Sequence, residues 1–96
     1  MINSKTRATL RKFAQTQVSV CQIGKGGLSP QVLNSVREAL IARELIKVTV
    51  LESCEKSARE LADELAEILK AEVIQVIGAK FVLYKKNPNI KSSLLI

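Results

Sequence analysis

Between a β-branched run and a proline-started segment lies Gly24-Lys25-Gly26-Gly27, three glycines around one lysine. Glycine lets the main chain come close to a ligand with no Cβ in the way, and the lysine supplies a full positive charge. Where such a loop opens into a helix, free amides and the helix dipole add partial positive charge, so the chemistry on offer is anion binding. The GxxG spacing suits the gripping of a sugar-phosphate backbone. The same four residues also make an ordinary tight turn. The Lys-Ser/Thr ending of a Walker loop is missing and GxGxxG is not matched, which argues against mononucleotide hydrolysis.

Other chemistries fare worse. The chain has no histidine, so Ser-His-Asp triads, Cys-His dyads and mixed histidine zinc sites are excluded. Cys21 and Cys54 have neither CxxC spacing nor enough partners for a metal cage, and are expected to be buried free thiols. No catalytic residue, metal site or cofactor is assigned. Glu60, Asp63, Glu64 and Glu67 cluster in one segment, but they alternate with an apolar stripe and read as a solvated helix face. Phe81 and Tyr84 stand at i, i+3 on a strand and so point to opposite faces; at most one could stack on a base, with Phe81 the better core residue.

Three helices and four strands position these groups. Asn3 or Ser4 caps a first helix with Leu10, Phe13 and Ala14 on its inner stripe and Arg7 and Arg11 elsewhere on its surface. Val18 to Ile23 reads as a short buried strand that ends at the glycines. Ser29 followed by Pro30 starts a second helix, stapled by Leu28 and Leu33 and ending near Arg43. Ile46, Val48 and Val50 alternate with Lys47 and Thr49 as in a half-covered strand. Ala58, Leu61, Ala62, Leu65, Ile68 and Leu69 lie on one face of a third helix, which Ser57 and Glu60 can open as a capping box. Val73 to Ile77 and Lys80 to Lys85 are separated only by Gly78 and Ala79, a tight antiparallel hairpin. The order α-β-α-β-α-β-β implies a single compact α/β domain over residues 1–96, with a four-stranded mixed sheet covered by three helices. Its core spans about 3–86; residues 87–96 form an irregular tail whose Leu94, Leu95 and Ile96 could fold back on an apolar groove. Strand order is left open.

Charge is distributed unevenly. Lysine and arginine total 15 against 9 acids, a formal +6. From Met1 to Arg37 there are six basic residues and no acid, whereas all nine acids fall between Glu38 and Glu72. Such polarity is the footprint of a polyanion binder, with the first-helix cations Lys5, Arg7, Arg11 and Lys12 expected to gather beside the glycine loop. No apolar run is long enough for a membrane span or a secretory signal, so a cytoplasmic protein with no membrane contact is expected, and it is taken to be a monomer.

The run CQIGKGGLSPQVLNSVREALIARELIKVTV, Cys21 to Val50, resembles the signature of the CRM-domain family, the small bacterial YhbY-like RNA-binding proteins whose domain recurs in plant organelle intron-splicing factors. Its elements are the IGKGGL loop, the V...V..AL..RELIKV helix-to-strand segment and, later, VIQVIGAKFVLYK as the closing hairpin. The resemblance covers the chain from the first helix to about Lys86. It implies a domain similar to the C-terminal domain of translation initiation factor 3, with RNA binding centred on Gly24, Lys25, Gly26 and Gly27. It further implies ribosomal RNA in large-subunit precursors as the partner and a role in ribosome assembly. The alternative from another class is a protein-interaction module that docks a ribosome-associated factor through the acidic third helix.

Overall fold

A computed structural model describes residues 3–86 of the chain. The elements follow in the expected order: α1 (Ser4–Ala14), β1 (Ser19–Ile23), α2 (Pro30–Arg43), β2 (Leu45–Val50), α3 (Ala58–Leu69), β3 (Glu72–Ile77) and β4 (Lys80–Tyr84). The strands form one sheet in the order β1-β2-β4-β3, with β1 parallel to β2 and β4 antiparallel to both of its neighbours. The expected tail, 87–96, lies outside the described residues.

Chain chirality explains the layering. The crossovers β1-α2-β2 and β2-α3-β3 step in the same direction across the sheet, the second passing over β4. Right-handed crossovers therefore put α2 and α3 on one face, and α1 takes the other. Two clusters result. Ile23, Val36, Leu40, Ile46, Val48, Leu61, Leu65, Phe81 and Leu83 belong to the larger core under α2 and α3. Leu10 and Ala14 of α1 pack on Leu45, Ile74, Val82 and Tyr84 to make the smaller one. Phe81 and Tyr84 thus do face opposite ways, and both are buried, so neither is available for stacking.

Local signals fix the element ends. Asn3 caps α1 by accepting from the Thr6 amide at 2.8 Å, and Ser29 caps α2 ahead of Pro30. At α3 the capping box closes: Ser57 Oγ accepts from the Glu60 amide at 3.2 Å and Glu60 Oε1 accepts from the Ser57 amide at 3.5 Å. Gly78, at φ 56°, occupies the first of two turn positions in the hairpin, where a type II′ turn demands glycine.

Three apolar expectations are corrected. Val18 precedes β1 and is 73% exposed, because β1 is an edge strand with only Ile23 fully buried. Phe13 and Ile68 are also exposed, one flanking each stripe rather than lying in it. The thiols of Cys21 and Cys54 are free but only half-buried. Burial raises the Cys21 pKa, which keeps this thiol protonated and unreactive.

Candidate nucleic-acid interface

The glycine loop caps the carboxyl end of β1. Gly27 donates to the Gly24 carbonyl at 2.9 Å, closing a tight turn, and its φ of 59° suits glycine. A Cβ on Gly24 would come within 3.3 Å of Ser53 Oγ and 3.4 Å of Leu51 Cδ1, so this position is tight. Gly26 differs from both. It has no positive φ, and a Cβ there would meet nothing within 4 Å. The fold itself makes no demand for glycine at Gly26, which is exposed beside the exposed Lys25.

The start of α2 offers an anion less than its sequence suggested. Pro30 has no N–H, the Val32 amide donates to Ser29 Oγ at 3.2 Å, and the Leu33 amide donates to the Ser29 carbonyl at 2.9 Å. The loop also lies against the β2–α3 connection, which carries Glu52 and Glu55. Close approach at Gly26 and the charge of Lys25 are therefore its main assets.

Two of the first-helix cations, Arg7 and Arg11, do not gather at the loop. Arg7 donates to the Val73 carbonyl and pairs with Glu72 at 3.6 Å, both at the start of β3. The loop stands at the end of β1. Registers place Glu72 level with Tyr84 and Leu45 at one end of the sheet, and Ile23 level with Val50 at the other. Three strand spacings of about 4.8 Å separate the edges, so Arg7 and the loop occupy diagonally opposite corners. Arg11 shares a hollow with Arg7, Arg59 and the middle of β3. Lys5, Arg11 and Lys12 remain exposed as expected, whereas Arg7 is half-buried and serves to pin α1 to β3.

What α1 does border is an open half-sheet that the sequence did not reveal as a site. Ile46 and Val48 point into the larger core, so Lys47 and Thr49 emerge on the α1 side, and Lys80 does so beside buried Val82. Lys47, Gln75, Ile77, Lys80 and Val82 line a hollow of about 130 Å³ there. Alternation in β2 was the available signal for Lys47; nothing local announces that β4 pairs with β2 and brings Lys80 alongside.

Acids concentrate away from the open half-sheet described above. Of the nine, Glu72 alone lies on the α1 side, held by Arg7; the other eight belong to α2, its cap Glu44, α3 and the connection between β2 and α3. Much of the acidic face of α3 is internally engaged: Glu60 in the capping box, Asp63 with Arg59 at 3.2 Å, and Glu64 with Lys56 at 2.5 Å. The Glu64 hydrogen bond holds the Lys56 ammonium above its ordinary pKa. Among the described residues there is no cluster suited to a metal ion and no helix long and apolar enough to cross a membrane.

Known proteins with this pattern can now be compared. Residues 2–85 match the family model described as the CRS1 / YhbY (CRM) domain. The chain is 37% identical over 91 residues to the probable RNA-binding protein YqeI of Bacillus subtilis, covering 95% of each. It is 29% identical over 93 residues to an RNA-binding protein of Haemophilus influenzae, covering 97% of this chain and 94% of the relative. The solution structure of protein SAV1595 from Staphylococcus aureus superimposes with a TM-score of 0.79 at 36% identity, over 95% of each chain.

Proposed function

The chain belongs to the CRS1/YhbY (CRM) domain family, and from that premise we propose that it binds RNA, contacting ribosomal RNA of large-subunit precursors through Gly24–Gly27 and a basic face and so assisting ribosome assembly. Its relatives are named for RNA binding. It is not an enzyme, and without histidine it lacks the commonest general base. The observation that carries the loop assignment is Gly26, a glycine with open space around it and no conformational need to be one. A side chain there would obstruct nothing in the protein and everything in a closely approaching phosphate. Lys25 neutralises that phosphate, while Lys5, Arg11 and Lys12 supply longer-range attraction that salt screens.

Gly26→Asp tests the loop. The variant keeps the wild-type circular dichroism and melting curve, and its affinity for a ribosomal RNA fragment falls at least tenfold, about 1.4 kcal/mol. Unchanged affinity would remove the loop from the mechanism. Crosslinking in cells followed by sequencing tests the partner: enrichment of large-subunit precursor RNA is expected, and an even spread over messenger and transfer RNA would reject the ribosomal assignment.

A further inference from the structure

Two rows of residues cross the half of the sheet that α1 leaves open. Gln22, Thr49, Lys80 and Ile77 are successive cross-strand partners, starting one residue before the Ile23-Gly24 junction with the loop. Lys47, Val82 and Gln75 form the next row, whose middle residue Val82 is buried in the cluster under α1 while Lys47 and Gln75 stay partly exposed, and Gln75 also borders the hollow that contains Arg11. Lys47 and Lys80 are diagonal neighbours on adjacent strands, about 7–8 Å apart. Folding gains nothing from placing two like charges there. No acid lies in either row, and Glu72, further down β3, is already paired with Arg7. Ile77 adds a 63% exposed aliphatic surface beside Lys80.

We propose that this open half-sheet is a track for the ribose-phosphate backbone of single-stranded RNA, which leaves the glycine loop at the end of β1 and crosses β2 and β4 toward Arg11. The proposal rests on the RNA-binding reading and extends it to residues outside the loop. Lys47 and Lys80 neutralise successive phosphates, Gln22 and Gln75 offer amide hydrogen bonds, and Ile77 packs on a ribose. Phe81 and Tyr84 are both buried, so neither aromatic of the sheet stacks on a base. Backbone contacts carry recognition along the track, which therefore tolerates sequence change.

The test uses fluorescence anisotropy with a labelled single-stranded oligoribonucleotide over a salt series. K47Q/K80Q lowers affinity at least tenfold and makes the slope of log affinity against log salt shallower by about 1.4, as expected for two lost phosphate contacts on a single strand. R43Q/K70Q removes the same charge from exposed positions at the ends of α2 and α3 and leaves the slope unchanged. If K47Q/K80Q melts early, Lys80→Gln alone repeats the test with half the change in slope. Full binding by K47Q/K80Q alongside weakened binding by Gly26→Asp would overturn the track and leave the loop standing; absence of wild-type binding would overturn both. Equal losses in the two double variants would reduce the effect to net charge and overturn the track. So would a loss confined to anionic vesicles or an acidic peptide, with RNA affinity intact.

Discussion

The two faces of the sheet are made by the same four strands and could hardly be less alike. One is roofed by α2 and α3 over the larger cluster and carries the acids of those two helices; the other is half-roofed by α1, over a cluster to which that helix contributes only Leu10 and Ala14, and its acid Glu72 is already paired. Strand pleating produces the difference. Successive residues of β2 alternate between core and open face, so a sequence that looks like a mixture of greasy and charged positions is sorted into one of each. A surface for a polyanion thus arises from alternation together with which helix covers what, and not from a run of basic residues.

The sharpest way to break this contrast is to hollow out each cluster in turn. Leu65→Ala should lower global stability by about 2–5 kcal/mol, and Leu10→Ala should fall in the same range, both side chains being fully buried. The two should differ in what opens: hydrogen exchange in Leu10→Ala rises first in α1, while α2 and α3 stay protected. Uniform exchange in that variant would mean that α1 is no more separable than the other helices. A smaller effect separates the two arginine pairs. Arg7→Gln forfeits a half-buried bond to the Val73 carbonyl and is expected to lose about 1 kcal/mol in urea unfolding; Arg59→Gln breaks a solvent-exposed i, i+4 pair and should stay within about 0.5 kcal/mol. Equal losses would show that Arg7 is not the pin.

The smallest effect belongs to the roofed face, at Cys21. Burial raises its pKa in the folded chain, so the thiol's contribution to stability is fully present below the ordinary value of 9.0 and is lost as pH rises through the raised one. Cys21→Ser should flatten the alkaline limb of the stability curve, measured by chemical unfolding from neutral pH upward. A limb as steep in Cys21→Ser as in the wild type would place the titration elsewhere.

Element order, caps and the closing hairpin were legible because each is written locally: Ser29-Pro30, the Ser57–Glu60 box and Gly78-Ala79 carry their geometry in a few residues. The order β1-β2-β4-β3 was not, since nothing near Lys80 states that β4 slips between β2 and β3. The same gap explains the site. The loop is legible in advance, but the acid-free charge of the first third does not say where α1 lies, and through Arg7 that helix anchors at the corner opposite the loop. Phe13, Val18 and Ile68 are exposed for a related reason: periodicity locates a stripe, and the edge of a stripe depends on how far the neighbouring element reaches.

Because β4 is the last strand in sequence yet sits between two earlier ones, a nascent polypeptide that has released everything up to β3 lacks the strand that joins β2 to β3. Lys47 then has no Lys80 on its diagonal, and neither cluster can close without Phe81, Val82, Leu83 and Tyr84. The final strand is the keystone, so a chain interrupted before it has neither a finished core nor a grip.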